Sequence, residues 1–223
     1  MKITMRITAA ALAAAVVLAG LGASTPAEAD RATISSTVPF IFASGPGDFS
    51  DVGTPVEGAH SQLVRHEGGV SMTFRTTGLV RGDAYTVWWV IFNDPSQCSP
   101  PMCGEDDVFV DPSDPSQGID PNGVGIWVGS AAGHVVGNSG RSSFAASLGV
   151  GDTSGQLLGT SAGLDDPFQA EVHLVLRRHG PALTGQALVE QLRTFGGGCS
   201  TATGGTEPDE FDCFDAQAAM HLP

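Results

Sequence analysis

Short stretches in which apolar and polar residues alternate recur along most of this chain. In residues 70–76, for example, single polar residues separate Val70, Met72 and Phe74. Alternation with a period of two is typical of a β-strand that has one buried and one exposed face. Alternation, or a short apolar run bounded by turn residues, predicts strands over residues 34–42, 70–77, 125–128, 144–148, 172–176 and 214–222.

One further stretch, residues 85–92 (YTVWWVIF), is apolar on both faces. This pattern predicts a central strand that is covered on both sides. Its residues Trp88 and Trp89, together with Trp127 in another apolar run, are expected in the core. An exposed tryptophan platform for sugars is the alternative, and the apolar surroundings disfavour it.

Helical periodicity is confined to residues 184–195, where Thr184 provides an N-cap, Leu188 and Leu192 lie one turn apart, and Gly196 ends the pattern. Seven or more short strands and one short connecting helix predict an all-β protein, an antiparallel β-sandwich. A β-barrel is the alternative, because counting strands does not distinguish the two. No linker divides the chain, so residues 30–223 are expected to form a single domain.

The N-terminal 29 residues have the three parts of a secretory signal peptide. Lys2 and Arg6 form a basic head, residues 7–22 form a short apolar body, and Ala27-Glu28-Ala29 forms an A-x-A cleavage site. The apolar body is shorter than the roughly 20 residues that span a bilayer. We therefore expect residues 1–29 to be cleaved, and the mature protein to begin at Asp30 and to be secreted or periplasmic.

The chain is strongly acidic, with a formal net charge of −14. Its only lysine, Lys2, lies in the predicted signal peptide. Nucleic acids and anionic membrane surfaces are poor partners for such a surface, because like charges repel. We expect no nucleic-acid partner and no membrane insertion. The ligand is unknown from the sequence, and a cation or a partner with a cationic surface fits the charge best.

Four cysteines follow the predicted cleavage site: Cys98, Cys103, Cys199 and Cys213. An even number of cysteines in an exported chain indicates disulfides, here with three possible pairings. Cys98–Cys103 and Cys199–Cys213 are favoured, since each pair brackets a short loop rich in proline or glycine. The alternative, a zinc site, is disfavoured because neither spacing resembles a C-x2-C knuckle.

Residues 98–123, called the insertion below, are rich in proline and acidic residues and lie between two predicted core strands. Extracellular calcium is bound by six to eight oxygen ligands gathered in a tight loop. The sequence D-P-N-G at 120–123 resembles the first half of such a loop. The segment therefore predicts a calcium site, with a solvated acidic loop as the alternative. The oxygen ligands would come from Glu105, Asp106, Asp107, Asp111, Asp114, Asp120 and Asn122.

Histidines suggest a second, weaker metal site. Glu171 and His173 share one face of a predicted strand, and His179 continues that face if the strand extends. His221 lies on the polar face of the 214–222 strand. If the two strands pair, imidazoles could converge with a carboxylate on copper or zinc. The predicted ligands are His173, His179 and His221, although no HExxH or H-x-H motif supports them.

A serine-hydrolase motif is present but lacks its context. Residues 159–163 match G-x-S-x-G around Ser161. That motif acts on a strand–turn–helix elbow, and Pro167 interrupts any helix that would follow. We therefore predict no catalytic residues.

Four blocks carry a resemblance that covers most of the chain after the signal peptide: GDAYTVWWVIFNDPSQC (82–98), PMCGEDD (101–107), EVHLVLRRHGP (171–181) and the C-terminal GGGCS…DCFDAQAAMHLP. They resemble blocks in a group of uncharacterised exported bacterial proteins. The resemblance implies an exported domain with paired cysteines and no known activity. Together these observations predict an exported acidic β-sandwich that binds a ligand or has a structural role without catalysis, and that calcium stabilises if the insertion binds it. The alternative is a copper- or zinc-dependent enzyme or metal-binding protein.

Overall fold

The computed structural model describes residues 32–42, 53–99, 102–112, 114–199, 211 and 213–223. The predicted signal peptide lies outside these residues. The described chain contains two short α-helices, α1 (Glu105–Val108) and α2 (Gly185–Gln191). Its strands are β1 (Ala32–Thr37), β2 (Phe40–Ile41), β3 (Thr54–Pro55), β4 (His60–His66), β5 (Gly69–Thr76), β6 (Asp83–Phe92), β7 (Ile126–Val135), β8 (Ser142–Gly149), β9 (Gln156–Gly159), β10 (Glu171–Pro181) and β11 (Phe214–His221).

These strands form two antiparallel sheets that pack face to face, which confirms the predicted β-sandwich. The smaller sheet has four strands in the order β1-β4-β5-β8. The larger sheet has seven strands in the order β3-β2-β11-β10-β6-β7-β9. The two sheets do not close into a barrel.

The main core lies between the sheets and is built from the alternating residues of their facing strands. Val70, Met72 and Phe74 of β5 are buried, as the alternation predicts. From the larger sheet, Trp89 of β6 and Leu174 of β10 pack into the same cluster. The period-two pattern therefore located this interface correctly along its central strands.

Strand β6 is buried along its whole length, on both faces, as its composition predicts. All three tryptophans are buried, which confirms their expected place in the core. The face of β6 that points away from the smaller sheet contributes Trp88, Val90 and Phe92 to a second hydrophobic cluster. The insertion adds Cys103 and Val108 to this outer cluster, so it covers the outer face of the larger sheet.

The predicted strand over residues 34–42 is wrong as a single element. The chain leaves the smaller sheet after β1 and enters the larger one at β2, with Pro39 between them. Proline has no N–H to donate to a ladder and interrupts regular pairing. Phe40 is buried in the outer cluster, whereas Ile34 is 64% exposed. The predicted helix is also too long, since α2 ends at Gln191 and residues 192–195 form turns.

The interface between the sheets also contains polar residues, which the sequence pattern did not place there. His221 of β11 points toward the smaller sheet and bonds to Ser35 and Ser61, each at 2.9 Å. The buried side chain of Arg65 donates four hydrogen bonds to backbone carbonyls. The acceptors are the oxygens of Pro167, Ala170, His221 and Leu222, at 2.5 to 3.0 Å.

Candidate functional site

The insertion lies over the candidate site and is held at both of its ends. At the first end, the backbone N–H of Cys103 donates a hydrogen bond at 3.2 Å to the carboxylate of Glu171 in β10. A disulfide joins Cys98 to Cys103, and another joins Cys199 to Cys213, as predicted. Helix α1 follows the first disulfide, and the Asp107 carboxylate caps its start. It accepts hydrogen bonds from the backbone N–H of Gly104 at 2.8 Å and from that of Ser99 at 3.0 Å.

The far end of the insertion is held by Asp120. Its φ of 57° lies in the left-handed region, where non-glycine residues are uncommon. Its carboxylate accepts bonds from the N–H groups of Val124 and Gly125, at 2.6 and 3.0 Å, and from the hydroxyl of Thr160. Burial alone would raise the pKa of Asp120, but these hydrogen bonds outweigh it and hold the pKa below its usual value.

A pocket of about 340 Å³ lies between the insertion and the outer face of the larger sheet. Its floor is formed by Trp88, Val90 and Val175 on adjacent strands, because Val175 and Trp88 are direct partners in the ladder. Val108 and Phe109 close the pocket from the insertion side. The pocket therefore lies between the outer face of the larger sheet and the disulfide-bonded insertion.

The edge of the pocket is apolar as well. Leu157 and Leu158 of β9 form one side, and the Leu157 side chain is 45% exposed. Phe195, which follows α2, forms another side, and its ring meets that of Trp88 edge-on at 5.4 Å between centroids. An apolar lining with a few polar groups is typical of small-molecule sites, and this volume is at the lower end of their range.

Two ionisable side chains line the described pocket, and both are carboxylates, Glu105 and Asp215. Asp215 accepts a hydrogen bond at 2.9 Å from Arg177, its partner in the β10–β11 ladder. The Arg177 guanidinium lies 3.8 Å from the centre of the Phe195 ring, and its Nε donates to the Phe195 carbonyl. Burial raises the pKa of Asp215, and the charge of Arg177 opposes that rise without cancelling it.

The residues predicted to bind calcium lie in several separate places. Glu105 lines the pocket and Asp106 is exposed. Asn122 donates to Asp107, whereas Asp111 and Asp114 accept bonds from Gln117 in an exposed turn. Among the described residues, two groups bring three potential metal ligands together: Cys98 with Cys103 and Asp107, and His179 with Cys199 and Cys213. Asp107 is the one predicted calcium ligand that belongs to either group. Calcium binding by the insertion stays a prediction.

The three histidines predicted to bind copper or zinc lie in three different environments. His173 pairs with Glu171 at 2.6 Å beneath the insertion, whereas His221 lies between the sheets. His179 bonds to Thr86 and to the carbonyl of Gly197, and its Nδ1 lies 3.5 Å from the disulfide sulfur of Cys199. The pairing of β10 with β11 thus does not bring the three imidazoles to one point.

Sequence reasoning missed the pocket, although one signal indicated it. A strand as apolar on both faces as β6 requires a cover on each side, and the insertion was the segment available for the outer side. No local sequence pattern indicates that Asp215 lines the pocket. It lies near Trp88 and Val175 because β11, β10 and β6 are neighbours in the larger sheet.

Comparisons with protein-family models, with curated proteins and with solved structures found no match to this chain. Among the described residues, no helix is long and apolar enough to cross a membrane. The two disulfides are compatible with a secreted or periplasmic protein.

Proposed function

We propose that this protein is an exported binding protein that holds a small, mainly apolar molecule between the insertion and the outer face of the larger sheet. The observation that carries this proposal is the pocket of about 340 Å³ with its apolar walls. Protein interiors are close-packed, and an unfilled apolar space costs stability. An apolar guest offsets that cost, as apolar cavities in proteins bind apolar molecules.

The rigidity of the cover supports binding. The disulfide Cys98–Cys103 and the carboxylates of Asp107 and Asp120 fix the insertion at both of its ends. A cover held in this way does not have to be ordered when a ligand enters, so little of the interaction energy is lost to ordering. The acidic residues of the insertion thus support the pocket by holding its turns.

The chemistry of the lining supports binding over catalysis. A nucleophilic or acid–base enzyme needs a reactive group positioned by a second group beside the bound substrate. The described lining offers the carboxylates of Glu105 and Asp215, and Asp215 is engaged with Arg177. Ser161, the serine of the G-x-S-x-G match, instead bonds to Asn93 and to the Gly163 carbonyl.

The proposal is tested by titrating the protein with N-phenyl-1-naphthylamine, an uncharged apolar dye whose emission rises in apolar surroundings. We expect saturable binding that is weakened at least tenfold by Leu158→Trp, which fills part of the pocket. Val150→Trp is the matched control, because Val150 is an apolar residue outside the pocket that is 47% exposed. Urea unfolding of each variant establishes that it is folded. Equal dye binding by both variants, or none by the unsubstituted protein, would overturn the proposal.

A further inference from the structure

We infer that the molecule bound in this pocket carries a positively charged amine or alkylammonium group on an apolar body. This inference rests on the proposed binding function and adds the chemical class of the ligand. Three observations support it: the negative charge of the ionisable lining residues, the aromatic rings beside them, and the contacts of Arg177.

The first observation is that the ionisable residues lining the described pocket, Glu105 and Asp215, are both acidic. A carboxylate has about four lone-pair sites, so the bond from Arg177 to Oδ1 leaves Asp215 with further acceptor capacity. An ammonium group provides N–H donors and opposite charge at the same point. It would also compensate the partial burial of the Asp215 side chain, which is 17% exposed.

The second observation is the number of aromatic rings in so small a space. Trp88, Phe109 and Phe195 all line the pocket. The face of an aromatic ring attracts cations, and quaternary ammonium ligands are commonly bound in aromatic cages. Phe195 already has the guanidinium of Arg177 over its ring, at 3.8 Å. The surroundings of the Phe195 ring therefore already accommodate a cation.

The third observation explains why an anionic ligand fits less well. Arg177, the cation that bonds to Asp215, does not line the pocket and also donates to the Phe195 carbonyl. An anion in the pocket would meet the carboxylates of Glu105 and Asp215, and the described lining residues include no cationic side chain. The formal charge of −14 acts in the same direction, because it attracts cations toward the protein and repels anions.

The test compares three compounds that share one apolar body: 4-phenylbutylamine, 4-phenylbutanol and 4-phenylbutyrate. Binding is measured by calorimetry at pH 7 on the disulfide-bonded protein. We expect the amine to bind at least tenfold more tightly than the alcohol, and the acid to bind most weakly. Equal affinity for the amine and the alcohol, or tightest binding of the acid, would overturn the inference and leave the proposed function standing. Binding of none of the three would overturn the proposed function itself.

Two substitutions then locate the charge recognition. Glu105→Gln should weaken amine binding about fivefold, as expected for a partly exposed charge pair, and should leave alcohol binding unchanged. Asp106→Asn is the matched control, because it removes the same charge from the next residue of α1, which is exposed. Asp215→Asn should weaken amine binding more strongly, and its urea unfolding shows whether the fold survives the loss of Arg177's partner. Equal amine affinity in all three variants and the unsubstituted protein would contradict the inference.

Discussion

Mild acid is expected to destabilise this protein through two buried histidines. Burial lowers the pKa of His179 and of His221 to about 4 from an ordinary value of 6.5. For His221 the charges of Arg65 and of two other histidines add to the effect of burial. Unfolding restores the ordinary pKa, so the unfolded chain takes up these protons first as the pH falls. The stability associated with neutral imidazoles is therefore complete above about pH 6.5 and is lost progressively toward about pH 4.

The size of the loss follows from these pKa values. When the pKa of a group differs by one between the folded and the unfolded state, its two protonation states differ by about 1.4 kcal/mol in their contribution to stability. At pH 5 the unfolded state binds nearly one proton more per histidine, and the integrated cost is about 2 kcal/mol for each, or about 4 kcal/mol for both. That is a large part of the 5–15 kcal/mol that stabilises a typical domain. With a urea m-value of about 2 kcal/mol per M, the midpoint should fall by about 2 M.

The assay is urea unfolding followed by tryptophan fluorescence at pH 7 and pH 5. His221→Gln retains hydrogen-bonding groups for Ser35 and Ser61 but cannot titrate, so its midpoint should shift only about half as far. His134→Gln is the control, because His134 is exposed. Burial raises the pKa of Asp215, whose protonation therefore acts in the opposite direction, so the comparison between variants is the decisive quantity. Equal shifts for His221→Gln, His134→Gln and the unsubstituted protein would refute the reasoning.

Three further predictions concern the stability of the fold: the contributions of Arg65, of Asp120 and of added calcium. Arg65→Met leaves four carbonyls without their donor, and we expect a loss of about 3–5 kcal/mol in urea unfolding; a loss below about 1 kcal/mol would contradict the role given to Arg65. Asp120→Ala removes the acceptor of two N–H groups and should cost about 1–3 kcal/mol without any added metal. Asp114→Ala is the control in an exposed turn and should cost less than about 0.5 kcal/mol. If Asp120→Ala and Asp114→Ala cost the same, Asp120 does not hold the end of the insertion. If the insertion binds calcium, millimolar calcium should raise the melting temperature by several degrees more than sodium at equal ionic strength, and equal rises would contradict that prediction.

The sequence predicted the central strands well because their burial follows a simple period. Residues 70–76 and 85–92 each lie in one strand with the predicted faces buried. The prediction failed where polar side chains face inward. His221 was placed on the polar face of its strand, and in the structure that residue is buried and bonds to hydroxyls of the opposite sheet. A pattern of polar and apolar residues does not show that a buried polar group has a partner far away in the chain.

The candidate site was less accessible to sequence analysis than the fold. The insertion and its disulfide were identified, and the interpretation of its acidic residues as calcium ligands stays a prediction. In the structure, Asp107 accepts a hydrogen bond from a backbone N–H group within the insertion, and Asp120 accepts one from Val124, the residue that follows the insertion. The composition does not reveal these roles. The pocket joins Trp88, Phe109, Leu158 and Asp215 from four separate elements. Its existence depends on strand order, which local periodicity does not determine.

The position of β11 in the larger sheet has a consequence for the order of folding. This strand lies between β2 and β10, so an element late in the chain is inserted between one of the earliest elements and the centre of the sheet. A chain made from its N-terminus cannot complete this sheet, or place His221 against Ser35, until β11 is available. Contacts so distant in sequence are associated with slow folding, in the range of milliseconds to seconds. The topology therefore delays completion of the larger sheet until β11 has been synthesised, and if the protein is exported, this delay favours an unfolded chain during transport.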